Sequence, residues 1–219
     1  MNPINLYASC EIKAIAVKGD AKSEVSSAEY HDAEYPNIVK VGDIITANII
    51  NNGEENLPMI FKVTSVYPFN VEMENKEDYV EGWSNKDKLS GDIEIPSFVK
   101  NEGISYNVIG LGGGALVRAE NVTSLKLNEG LEYTSSHSMR WCYGLHEIVI
   151  PNTVKVLGEA AMTDCHNVKT VVLGSELERL KYLAFWAVSH RLETIVSLNP
   201  VPAICDSPNS TFESLPEDV

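Results

Sequence analysis

The sequence predicts a mainly β chain in which a right-handed solenoid with parallel strands and short helical segments follows a small β-rich N-terminal unit. Three observations predict it. A block of sequence recurs at a spacing of 23 residues over the second half of the chain. The apolar positions of the blocks coincide column by column. The residues ahead of them break into short alternating β runs parted by turn signals. A fixed period in this range means that each unit is one coil that cannot bury its own apolar face and must stack on its neighbours.

The N-terminal unit is expected over residues 1–75 and the solenoid over 76–219. In the first, β-rich runs lie at 11–17, 43–50, 58–66 and 70–73, and Asn51-Asn52-Gly53 is a hairpin signal between two of them. The path through Val41-Gly42-Asp43 and the hairpin to Phe61-Lys62-Val63 resembles the strand-loop-strand of bacterial Ig-like adhesive domains, and a small sandwich is expected. A β cap on the solenoid would use the same runs. The acidic stretches 72–81 and 87–92 read as solvated loops, because neither has the ligand spacing of a calcium loop.

Each coil is then legible in order. Val122, Leu145, Val168 and Leu192 form one column, at spacings of 23, 23 and 24 residues. Leu125, Ile148, Val171 and Ile195 form the next, Leu127, Ile150 and Leu173 another. Alternation through Glu147-Ile148-Val149-Ile150 is the period of a short strand with every second residue inward. Pro151 and Asn152 make a corner, since proline removes a ladder donor. Residues 153–157 alternate again as a second short strand. Ala161, Met162 and Cys165 follow at helix-like spacing. Strands should start near Ile93, Ser124, Glu147, Thr170 and Thr194. Ile93-Glu94-Ile95-Pro96 and Val108 belong to an irregular first repeat, split by a hairpin-like insert with Asn101-Glu102-Gly103 at its tip. Terminal repeats are often atypical because they close an end.

The run Ile148-Val149-Ile150-Pro151-Asn152, then Val154, Leu157-Gly158, Ala161-Met162 and Cys165, resembles the BspA-like subclass of leucine-rich repeats. The likeness covers about residues 60–212, with lead-in residues 89–96 and 103–108 similar to the family's opening and residues 197–202 with Thr211-Phe212 similar to its close. Thr134-Ser135, Lys181 and Val188 depart from the pattern. The family's last strand and cap are not found after Phe212, so either a truncated C-terminal end or a last coil capped in another way is expected. The resemblance implies a leucine-rich-repeat solenoid in a bacterial surface or secreted protein with a role in adhesion.

Composition narrows the function further. The chain has 219 residues, 44% of them hydrophobic, enough for a substantial core, and a net charge of −14. It has no basic stripe, which argues against nucleic acid and anionic membrane surfaces as partners. No run approaches the ~18 apolar residues of a membrane-spanning helix, so membrane insertion is not expected. Residues 2–10 end in Ala8-Ser9-Cys10 but contain neither a basic n-region nor an apolar h-region, so no signal or lipoprotein segment is expected in this chain. Two histories fit: a piece of an exported precursor, or a cytosolic protein.

Candidate chemistry is thin. Cys142 and Cys165 fall in one inward column and read as unpaired thiols packed as small hydrophobes, although stacking at the strand spacing would admit a disulfide. His166 and His190 read as a solvated corner rather than a metal site, because no ligand motif accompanies them. Gly110-Leu111-Gly112-Gly113-Gly114 lacks the lysine and hydroxyl ending of a phosphate loop. Trp141, Trp186, Tyr143 and Tyr182 could stack sugars, but covering the outer edge of the coils is the better reading. No catalytic residue, cofactor or metal is expected.

The expected function is therefore non-enzymatic binding of a protein or a glycan at a surface. An accessory scaffold that spaces or supports another domain is the alternative. The outward residue between the two inward ones of each strand is Lys126, Val149, Val172 or Val196. These four are the candidate partner-binding residues, because three successive coils carry valine where the related family usually has a small hydroxyl residue.

Overall fold

The computed structural model describes residues 39–74, 88–188 and 190–212, together with the backbone of four strands between residues 10 and 30. The chain forms two compact units, Met1–Lys40 and Val41–Val219. In the first, β1 (Cys10–Ala14) pairs antiparallel with β4 (Ser26–Tyr30), and between them β2 (Val17–Lys18) pairs antiparallel with β3 (Ala21–Lys22).

The second unit opens with an antiparallel meander of β5 (Ile44–Asn51), β6 (Glu54–Val66) and β7 (Phe69–Glu74). The Asn-Gly turn joins the first two, with Asn52 at φ 49° and Gly53 at φ 82°, as a tight hairpin requires. Alternation then buries one face, carrying Ile45, Ala47, Ile49, Met59, Phe61, Val63, Val71 and Met73, all at most 7% exposed. β8 (Ser90–Ile95) follows, and the insert forms β9 (Phe98–Asn101) and β10 (Ile104–Leu111), a hairpin turning at Glu102-Gly103.

The coils supply two columns of parallel strands. One is β11 (Asn121–Leu127), flanked by β13 (Glu147–Val149), β15 (Thr170–Leu173) and β17 (Thr194–Ser197). The other is β12 (Tyr133–Thr134), β14 (Val156–Leu157), β16 (Arg179–Leu180) and β18 (Ile204–Cys205), which continues from β10. Three of the five strands expected from the repeat begin at the residue named, Glu147, Thr170 and Thr194; the other two begin three residues early, at Ser90 and Asn121.

The meander ties both columns together. β5 pairs antiparallel with β8, β7 pairs parallel with β10, and β8 pairs parallel with β11. A single sheet therefore runs through the cap into the coils. The boundary expected at 75/76 falls outside the described residues, but the strands on either side of that stretch share one sheet, and the compact units part between Lys40 and Val41. Residues 44–74 act as a β cap. A solenoid end presents unpaired main chain and apolar side chains, and the meander satisfies both.

The segments read as helical are turns. Ala161, Met162 and Cys165 are buried as their spacing requires, but each coil bends twice through left-handed residues that line up between coils. Gly114, His137, Ala160 and Leu183 form one such column at φ 64°, 57°, 50° and 57°, and Arg118, Trp141, Asp164 and Ala187 the other. The bends aim main-chain N–H groups at the next coil, as in Leu116 N to Ser138 O at 2.7 Å, Met139 N to Ala161 O at 2.8 Å and Met162 N to Ala184 O at 3.0 Å. A helix would keep those donors within one coil. Here they form a third ladder along the stack.

Close contact between coils explains the turn glycine. A Cβ on Gly158 would fall on the main chain of Thr134 and Ser135 in the preceding coil. Corners are tied in the same direction. The Glu129 carboxylate accepts hydrogen bonds from Asn152 N, Asn152 Nδ2 and Thr153 N, each at 3.1 Å, and Asn152 Oδ1 accepts one from Ser175 N at 3.1 Å. Burial works against ionisation of Glu129, but the main-chain donors of Asn152 and Thr153 outweigh it and hold the carboxyl below its ordinary value. Its folded-state pKa is the lower one, so its contribution is complete above the unfolded value of about 4.3 and fades as pH falls through the folded value. Glu129→Gln should then cost on the order of 0.5 kcal/mol at pH 7 and flatten the loss of stability below about pH 4.3. Urea midpoints at pH 7 and pH 3.5 test this; an unchanged acid slope would remove Glu129 from the account.

The last coil is covered on its turn side. There α1 (Pro208–Thr211) buries Thr211, whose Oγ1 donates to Lys181 O at 3.3 Å, and the Phe212 ring stacks on Phe185 with centroids 5.8 Å apart. A single helical turn thus covers this side of the last described coil.

Candidate functional site

The outward row of the first strand column is built by register. Glu147, Ile148 and Val149 pair with Thr170, Val171 and Val172, and these with Thr194, Ile195 and Val196. Alternation sends Ile148 and Val171 into the core, at 1% and 0% exposure, and leaves the residue after each on the other face. Val149 is 44% exposed and Val196 38%, with Val172 half-buried between them. The valines make a strip running coil to coil beside the polar row Glu147, Thr170 and Thr194.

Lys126 lies at the cap end of this row and differs in kind. Its register partner is Glu94 on β8, and Lys126 Nζ sits 3.0 Å from Glu94 Oε1. Asn128 Nδ2 donates to the same oxygen at 2.8 Å. The hydrogen bond from Asn128, then that from Lys126, holds the Glu94 carboxyl below its usual range. The row thus begins with a polar cluster and continues as an aliphatic strip.

The remaining candidates resolve into packing. Cys142 and Cys165 are free thiols at 1% and 0% exposure, donating to Leu116 O at 3.3 Å and Met139 O at 3.1 Å. The neighbouring Cys165 thiol, then burial, pushes the Cys142 thiol up, away from the reactive thiolate. His166 stacks on Tyr143 of the preceding coil, centroids 5.4 Å apart and planes at 10°, while His190 is exposed. Among the described residues, no three His, Cys, Asp or Glu side chains converge. Gly110 lies under the Tyr133 ring, and Gly112 N donates to Met73 O at 2.7 Å, so the glycine run serves close packing against the cap.

Trp141 is occupied by its own chain. The guanidinium groups of Arg118 and Arg140 lie over its ring, 4.8 and 4.1 Å from the centroid. Its Nε1 donates to Asp164 Oδ2 at 2.9 Å, and the same oxygen is 3.1 Å from Arg140 Nη2. Tyr182 is 45% exposed and Trp186 half-buried in the next coil.

One polar cluster escaped the sequence. Glu72, expected in a solvated loop, lies on β7 at 9% exposure. It accepts from Tyr133 Oη at 3.0 Å and Lys62 Nζ at 3.1 Å, joining cap to coil. Burial, then the charge of Glu72, raises the Tyr133 phenol, which therefore stays a donor. The missed signal is Gly110. A glycine in that outward row leaves room for a tyrosine one coil on to lie across it.

A family model described as the BspA type leucine rich repeat region matches residues 97–214 in six copies. No curated protein matches the chain. Among solved structures, the chain is similar to a leucine-rich repeat protein from Bacteroides capillosus, with 16% identity over 68% of this chain and 98% of that one at a TM-score of 0.51. It is also similar to one from Bacteroides ovatus, at 18% identity over 74% of this chain and 37% of that one, TM-score 0.49. A third is the pneumococcal vaccine antigen PcpA, at 15% identity over 82% of this chain and 51% of that one, TM-score 0.43. Of the last two chains it spans about a third and about half.

Proposed function

Because the chain belongs to the BspA-type leucine-rich-repeat family, we propose that it is a non-enzymatic binding protein of a bacterial surface or of the secreted fraction. Its ligand in this reading is a protein, met on the strand face of the coils, with a glycan as the other class of ligand that the family resemblance allows. The supporting observation is the strip Val149, Val172 and Val196, two of whose members are more than a third exposed on a strand column where hydroxyl residues would fold as well. Contiguous exposed aliphatic surface favours association. A repeat stack offers a long rigid face for it. No described helix is long and apolar enough to cross a membrane.

The test is the triple change Val149→Thr, Val172→Thr and Val196→Thr. Threonine keeps the shape and strand preference of valine, so the fold should survive. Retention on immobilised matrix proteins and on a glycan array should fall about tenfold or more, the result of losing ~1.4 kcal/mol. Full retention would move the docking face elsewhere. A second reading, a scaffold module that supports a neighbouring domain, draws support from the narrowness of the strip and from the ion pairs that neutralise charges around it, Lys126–Glu94 and Lys169–Glu193. It expects the triple variant to lose nothing.

A further inference from the structure

The two ends of the solenoid are unlike. At the first, the outer edges of both strand columns are hydrogen-bonded to the cap, β8 to β5 and β10 to β7. At the last, β17 and β18 are the outermost strands of their sheets, and among the described residues nothing pairs their far sides. The direction of the free groups follows from the ladder. Thr194 N donates to Lys169 O and Leu198 N to Leu173 O, so the alternate residues Ile195 and Ser197 present N–H and C=O away from the stack. Ile204 N and Asp206 N donate to Glu178 O and Leu180 O, which leaves the groups of Cys205 facing out on the other column.

The side chains around this edge point to what covers it. Residues 194–205 contain no charged residue, in a chain of net charge −14. Val196, Leu198, Val201 and Ile204 there are 38%, 51%, 67% and 67% exposed. Of the charges beside it, Arg179 pairs with Asp206 and Lys169 with Glu193, while Lys155, Glu176 and Glu178 border the groove that Val201, Pro202 and Ile204 line. Along the edge strand itself, two copies of a strongly acidic protein would meet without setting like charges directly opposite one another.

We infer that two copies of this chain associate through these edges, β17 against β17 of the second copy in antiparallel register, to form a two-fold dimer. With the cap closing the other end, the contact is isologous and stops at two instead of growing into a filament. The axis of such a pair is perpendicular to the sheet, so both outward faces stay on one side. The strip Val149, Val172 and Val196 then continues into its symmetry mate as one strip of double length. Pro200 and Pro202 keep the pairing short, which makes the dimer a reversible one. The inference stands whether or not the strip binds a ligand.

Sedimentation equilibrium of the full chain over a wide concentration range tests it. The wild type should show a monomer–dimer equilibrium with no higher species. Ser197→Pro removes an outward N–H that the fold does not use, and should raise the dissociation constant at least about tenfold. The pair Val196→Lys and Leu198→Lys should do the same by setting like charges across the axis, and keeps the test intact if proline disturbs the coil. Val149→Thr, on the strip but away from the edge, should leave the dimer unchanged, which separates this inference from the ligand-binding one. A monomer at every concentration overturns it. So does a dimer that persists in both edge variants, or growth into longer assemblies.

Discussion

Ile148→Asp is expected to unfold the stack. Ile148 is 1% exposed, pairs in register with Val171, and has no polar partner within the coil. A buried carboxylate without a partner costs several kcal/mol, against a total stability of about 5–15 kcal/mol for a domain. Nearest-neighbour coupling spreads the damage, because a lost coil leaves two new unpaired ends. Val149→Asp, one residue along and 44% exposed, should cost less than about 1 kcal/mol. Far-ultraviolet circular dichroism against temperature separates the two. An Ile148→Asp protein melting within a few degrees of wild type would contradict the inward register.

Phe61→Ala should destabilise the coils as well as the cap. Phe61 is wholly buried on the apolar face of the meander, and truncating such a ring costs about 3–5 kcal/mol. Since β5 and β7 pair with β8 and β10, the loss should appear in one transition and in faster hydrogen exchange of the β13 and β15 amides. Two separate transitions, with those amides unchanged, would mean that the cap folds as an independent unit.

The repeat made the coils legible and the cap only partly so. A column such as Leu125, Ile148, Val171 and Ile195 carries its own register, because one period sets both strand phase and stacking order. The valine row followed from the same alternation. Lys126 took the same place by phase, but its pairing with Glu94 depends on β8 lying beside β11, which the irregular first repeat conceals. The outer meander strands were found to within a residue and β6 began four residues before the expected run, at Glu54, yet alternation within 44–74 says only that one face is buried, not against what. The turn segments misled for a definite reason. Ala161, Met162 and Cys165 satisfy a helical period, while left-handed bends fall on Trp141, Ala160, Leu183 and Ala187, residue types that give no local sign of them. Glu72 was hidden because its burial depends on a glycine and a tyrosine in two other coils.

The cap also bears on how the molecule is made. It is the part of the second unit that leaves the ribosome first, and it needs no coil to form its hairpins. Each coil after it lays its strands and turns on a surface already finished, through contacts with the coil just synthesised. Folding can therefore follow chain growth coil by coil, with the cap completed later where Glu72 meets Tyr133 and β8 meets β11. A nascent chain halted at any coil would hold a folded template behind it and a single unsatisfied rim ahead.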